Sequence, residues 1–190
     1  LTSFMRVFLC FLFSLIFLYS ASSQTITPAG PLDLCPGGNQ ILTVNGAVAG
    51  TTFQWQLNAV DIPGATLNTH SATIAGSYTA ILTTPGPVKD TLGPVVLVSR
   101  PNPVAAFSFN PNNQCGNVPV SFLNTSSGTG LSYAWNFGDP ASGANNLSSA
   151  SQPVHRFVGN PGNGTQSFTV TLTVTSVYGC TATTTATVTI

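Results

Sequence analysis

Tyr133-Ala-Trp-Asn-Phe-Gly-Asp139 is the stretch on which the reading of the fold turns. Trp135 and Phe137 are two residues apart, so on an extended chain they point to the same face. Each can bury about 150–250 Å² against a core. Gly138-Asp139 ends the run, and Asp favours a turn because its carboxylate accepts backbone N–H groups. Farther along, Thr169-Val-Thr-Leu-Thr-Val-Thr175 alternates strictly. Val170, Leu172 and Val174 should face a core, with the Thr residues on the other face. Both stretches have the period of a half-buried strand.

The composition agrees. Hydrophobic residues make up 43% of the 190, but only 4% are charged, against about 25% in an ordinary soluble domain. There is no Glu, and the acids are Asp33, Asp61, Asp90 and Asp139. A chain so poor in Glu, Lys and Arg is not dressed for surface helices, whereas Thr and Val favour strands. No basic patch is present to neutralise phosphates, which argues against a nucleic-acid partner. Nor does the sequence offer the paired carboxylates of a glycosidase, a Gly-x-Ser-x-Gly elbow or a His/Cys cluster with zinc spacing. The expectation is a protein that is not an enzyme, with no catalytic residues, cofactor or metal. Calcium on Asp139 is the strongest rival, but hard-cation sites usually gather several carboxylates.

The N-terminus reads as a targeting segment, residues 1–23. Met5-Arg6 supplies a short basic start, Val7 to Tyr19 is apolar apart from Ser14, and Ser20-Ala-Ser-Ser23 offers small residues for cleavage. The apolar run is short of the ~20 residues a membrane span requires. Cleavage removes Arg6 and leaves three bases against four acids, a formal charge of −1. The expected location is secreted or cell-surface, with no membrane span in the mature chain.

Two units of short strands follow, 24–100 and 101–190, on either side of the stiff linker Arg100-Pro-Asn-Pro103. In the first, 41–44, 52–57, 77–82 and 95–98 read as strands between Gly, Pro and Asn turns. In the second, 104–109, 118–123, 131–137, 167–177 and 181–190 do. The units share a plan: a Cys before the second strand (Cys35, Cys115), an aromatic-x-Trp (Phe53-Gln-Trp55, Tyr133-Ala-Trp135) and a late strand led by Tyr78 or Phe168. Twelve residues beyond Phe168 is Cys180, and twelve beyond Tyr78 is Asp90. The repeat therefore predicts a Cys115–Cys180 disulfide, closing about 65 residues and contributing on the order of 3–4 kcal/mol. Cys35 would be unpaired or joined outside this chain; a Cys35–Cys115 pairing is the alternative.

Residues 103–190 resemble a polycystic kidney disease (PKD) domain. The likeness is carried by Tyr133-Ala-Trp-Asn-Phe-Gly-Asp139, Pro153-Val-His155-Arg-Phe157 and Val170-Thr-Leu-Thr-Val174. Asn136, Pro140 and Phe157 depart from the family's Asp, Gly and Tyr. Residues 30–99 resemble a bacterial immunoglobulin-like domain, through Phe53-Gln-Trp55, Ile62-Pro-Gly-Ala65 and Ala75-Gly-Ser-Tyr78. Tyr78 sits like a tyrosine corner, with Ala80 where such domains carry Cys. The resemblance implies two β-sandwiches in tandem, as in secreted surface adhesins of the Bacteroidetes type. It makes Trp55, Tyr78, Tyr133, Trp135, Phe137, Gly138, Asp139 and His155 framework rather than a binding site. His70 falls in what reads as a solvated loop. The implied role is adhesion, or interaction with an extracellular protein or polysaccharide, and spacing among further domains of the same polypeptide. The alternative is an accessory region of a secreted hydrolase.

Overall fold

The computed structural model describes residues 23–30, 32–159, 162 and 164–190. The stretch read as a targeting segment, Ser23 apart, lies outside the described residues. The chain is all-β. The first eight strands are β1 (Thr25–Thr27), β2 (Leu32–Leu34), β3 (Gln40–Asn45), β4 (Thr52–Leu57), β5 (Val60–Asp61), β6 (Thr69–Ala72), β7 (Gly76–Thr83) and β8 (Lys89–Ser99). They form two sheets, of order β1-β3-β6 and β2-β8-β7-β4-β5. The next seven are β9 (Phe107–Asn110), β10 (Pro119–Asn124), β11 (Ser132–Asn136), β12 (Leu147–Ser148), β13 (Val154–Arg156), β14 (Ser167–Thr175) and β15 (Thr181–Thr189). Their sheets run β13-β10-β9 and β12-β11-β14-β15. Among the described residues all strand pairings are antiparallel except β2 with β8, where Leu32 lies opposite Leu97 and Leu34 opposite Ser99.

Each pair of sheets encloses its own core. In the first, Leu42, Val44 and Ala72 from one sheet meet Trp55, Tyr78, Leu82 and Leu97 from the other. In the second, Val120 and Phe122 meet Trp135, Val170, Leu172, Val174 and Val188. β14 is buried at every second residue, as its alternation requires. Trp55 and Trp135 occupy equivalent places. Both are buried, and each indole N–H donates to a loop carbonyl 2.9 Å away, Leu67 for Trp55 and Ala150 for Trp135. Buried Trp usually needs such a partner.

Two expectations are corrected. The disulfide joins Cys35 to Cys180, and Cys115 is a free, exposed thiol. The twelve-residue count ignored which end of a sandwich each turn occupies. The Cys115 loop packs at the end where β15 finishes: Asn113 N–H donates to the Thr189 carbonyl, and Gly116 lies against Gly159 and Ile190. Cys180 lies in the turn at the other end of the β14–β15 ladder, nine paired residues away. At about 3.4 Å per residue that is about 30 Å, whereas bridged Cα atoms sit about 4.4–6.8 Å apart. The second correction concerns His70, which is in β6, half-buried, with its ring 5.7 Å from both Trp55 and Tyr78.

Candidate functional site

The Trp135–Asp139 run leads from β11 into a turn whose backbone is held by two Asn side chains. Asn136 Oδ1 accepts the Gly138 N–H at 2.9 Å, and Asn146 Oδ1 accepts the Asp139 N–H at 2.7 Å. Gly138 has φ 68°, and a Cβ there would run into the Thr169 carbonyl. Pro140 opens a 3-10 segment, Pro140–Asn146, which lengthens the turn. Asp139 is thereby carried inward, to 1% exposure. Its Oδ2 accepts from His155 Nε2 at 3.1 Å and from the Val158 N–H at 2.9 Å. His155 stacks on Phe137, with centroids 4.2 Å apart and planes 7° apart, and meets Phe157 edge-on. Asp139 Oδ1 is buried without a partner among the described residues. A carboxylate this enclosed braces a turn against a strand and is out of reach of a dissolved substrate. No group of three or more His, Cys, Asp or Glu able to hold a metal occurs among the described residues.

In the first sandwich, the Tyr78 hydroxyl donates to the Ile74 carbonyl at 2.8 Å, the hydrogen bond of a tyrosine corner. Burial raises the phenol's pKa. Tyr133 is half-buried against the second core. The eight framework positions therefore divide between two cores and do not converge on one site.

The polar groups that do converge lie where the two sandwiches meet. The Arg100 N–H donates to the Leu34 carbonyl at 3.0 Å. Its Nε donates to Asp33 Oδ1 at 2.6 Å, and its guanidinium lies 4.1 Å from the Tyr178 ring centroid. The hydrogen bond to Asp33 raises the already high pKa of Arg100. The Cys35–Cys180 bridge stands alongside, with Cys180 Sγ 4.0 Å from the Arg100 carbonyl oxygen. Parallel pairing of β2 with β8 explains the juxtaposition, because it sets Asp33 and Cys35 beside the strand that leads into Arg100. Sequence reasoning took Arg100 for linker and left Asp33 unassigned. No local motif marks a contact between residues 67 apart.

A second feature sits at the opposite end of the first sandwich. A cleft of about 890 Å³ is lined by Val48, Thr51, Phe53, Thr66, Leu67 and Asn68, among others, with no charged residue in its lining. Thr52 pairs with Thr83, and Thr83 with Lys89, at the start of β8. The bridge is near the other end of that eleven-residue strand. Leu67 is 68% exposed there.

Comparison with known proteins places this architecture. A profile of the family described as PKD domain matches residues 100–190. The PKD1 domain of Vibrio anguillarum Epp is 34% identical over 47% of this chain and 93% of its own, with a TM-score of 0.35. The PKD1 domain of the Vibrio cholerae metalloprotease PrtV is 29% identical over 47% of this chain and 96% of its own, with a TM-score of 0.36. The N-terminal eight Ig domains of the Down Syndrome Cell Adhesion Molecule share the fold over 88% of this chain and 27% of theirs, at 12% identity and a TM-score of 0.50. No curated protein matches the chain. Among the described residues no helix is long and apolar enough to cross a membrane. Through residues 100–190 the chain belongs to the PKD domain family, with an immunoglobulin-like sandwich preceding that domain.

Proposed function

We propose that this chain is a non-catalytic extracellular module that holds a ligand-binding surface at a fixed distance and orientation within a larger surface protein. Its domains are 24–100 and 101–190, after a targeting segment at 1–23. The observation that carries the reading is the junction. Within a tandem, a flexible linker leaves domains free to move relative to one another. Here a disulfide and a cation–π contact tie the two sandwiches together, and the Arg100 that makes the cation–π contact is itself held by Asp33 of the first. A disulfide also accords with an oxidising compartment. The surface presented is the uncharged cleft beside Phe53 and Leu67, at the end away from the junction. Peptide groups, hydroxyls and amides beside apolar side chains suit a neutral, hydroxyl-rich polysaccharide or an uncharged protein segment.

The test is binding of the oxidised chain to neutral polysaccharides and to matrix proteins, by pull-down and calorimetry. Saturable binding that Phe53→Ala and Leu67→Ser weaken at least about tenfold (about 1.4 kcal/mol) supports adhesion through the cleft. Binding that neither substitution changes excludes the cleft. Binding seen only when a hydrolase domain of the same polypeptide is attached would replace adhesion with an accessory role in hydrolysis.

A further inference from the structure

Sheet edges are where a β-protein is open to a further strand, and natural proteins keep them short, charged or covered. Among the described residues, seven of the eight edge strands follow that rule by length. β1, β2, β5, β6, β9, β12 and β13 have two to four residues each. The eighth, β15, has nine. It reads Thr181-Ala-Thr-Thr-Thr-Ala-Thr-Val-Thr189, with no charge, proline or glycine.

The hydrogen-bond register shows which groups of β15 are open. Gln166 and Ile190 exchange both backbone bonds at 2.9 Å, and Ser176 N–H donates to the Cys180 carbonyl. Antiparallel pairing alternates, so the even-numbered residues of β15 turn their backbone groups toward β14. The odd-numbered ones turn theirs outward. At Thr189 the outward groups are used, by the Asn112 side chain and the Asn113 N–H. At Thr181, Thr183, Thr185 and Thr187 the outward N–H and C=O groups have no partner among the described residues.

We propose that this open edge pairs antiparallel with the same edge of a second copy of the chain, joining two four-stranded sheets into one of eight strands. The occupant follows from the sequence. Residues 181–187 are a palindrome, Thr-Ala-Thr-Thr-Thr-Ala-Thr, centred on Thr184. A two-fold axis at Thr184 sets 181 opposite 187, 182 opposite 186 and 183 opposite 185 of the second copy. Every Thr then meets Thr and every Ala meets Ala. The same register brings odd residues opposite odd residues, so all four outward donor–acceptor pairs of each strand are satisfied. The outer faces meet as Thr–Thr pairs, which favour pairing across strands. The inner faces meet through the half-buried Ala182, Thr184 and Ala186. A self-complementary patch on a two-fold axis is the ordinary construction of a homodimer.

The test is sedimentation and light scattering of the oxidised chain at concentrations up to about 500 µM, because a contact this small belongs among weak interfaces. A concentration-dependent dimer is expected. Thr185→Pro should weaken it at least about tenfold while leaving the monomer folded, because the lost N–H points away from β14 and edge strands tolerate proline. Register is tested by cross-linking with Cys115→Ser as background. Thr184→Cys stands beside its own mate and should form a disulfide-linked dimer under mild oxidation. Thr187→Cys lies six residues from its mate, about 20 Å away, and should not. A chain that stays monomeric throughout, a dimer indifferent to Thr185→Pro, or cross-linking at 187 as fast as at 184 would each overturn the proposal. If Thr185→Pro does not fold, the two cysteine variants decide alone.

Discussion

Removing the Cys35–Cys180 bridge should destabilise both sandwiches, not one, and the structure sets the size of the effect. The cysteines are 145 residues apart in sequence. The junction divides that interval, because Arg100 is hydrogen-bonded to Leu34 and its carbonyl lies beside Cys180 Sγ. Cys180 and Arg100 are 80 residues apart, which leaves 65 of the 145 between Arg100 and Cys35. When the first sandwich unfolds alone, the folded second one still anchors Arg100 near Cys180, so the bridge closes a loop of about 65 residues. When the second unfolds alone, the loop is about 80. In the chain-entropy account these loops correspond to about 4.3 and about 4.5 kcal/mol at 25 °C. At about 4–8 °C per kcal/mol for domains of this size, each melting temperature should fall by roughly 17–36 °C. The assay is calorimetry of the Cys35→Ala/Cys180→Ala double variant against the parent, both with Cys115→Ser, so that no free thiol remains among the described residues. Indole fluorescence assigns the transitions, since Trp55 and Trp135 lie one in each core. If only the first sandwich loses stability, or if both lose less than about 1 kcal/mol, the shared-anchor argument fails.

Gly138→Ala places a side chain at positive φ against the Thr169 carbonyl. It should cost the second sandwich about 3–4 kcal/mol, combining left-handed strain with overpacking, as read by urea denaturation. Asp139→Ala leaves His155 Nε2 and the Val158 N–H without their acceptor and should cost about 2–4 kcal/mol; Asp139→Asn, which retains an acceptor oxygen, should recover part of that. Burial lowers the His70 pKa below its ordinary 6.5. The unfolded chain therefore binds more protons there, and stability of the first sandwich should decline as pH falls from 6.5 through the lowered folded value. His70→Gln should flatten that decline in denaturation midpoints measured between pH 7.5 and 5.5.

Much of the fold could be read directly because it rests on period-two patterning and on large aromatics. Val170, Leu172 and Val174 could face only one way, and Trp55 and Trp135 needed a core around them. The short strands were harder. β2, β5, β12 and β13 have two or three residues each, too few to show a period, and β6 carries the polar run Thr69-His-Ser-Ala72, which reads as loop. Missing β2 had the larger consequence. Its parallel pairing with β8 brings residues 33–35 to Arg100, so without it Cys35 had no visible partner and the internal repeat assigned Cys180 to Cys115 instead. A repeat records which residues are equivalent between two sandwiches. It does not record which ends of the sandwiches face each other, and that arrangement determines which thiols meet. Once β2 is placed, Asp33, Cys35, Arg100, Tyr178 and Cys180 form one cluster, and the segment read as a spacer becomes the most heavily tied point in the chain. The tie also bears on the open β15 edge. Cys180 immediately precedes Thr181, so the bridge fixes the first sandwich beside one end of the strand proposed to pair, and the Asn112–Asn113 contacts close the other end. Between those two limits lie the seven residues of the palindrome, which is why the pairing argued for β15 should extend over residues 181–187 and no farther.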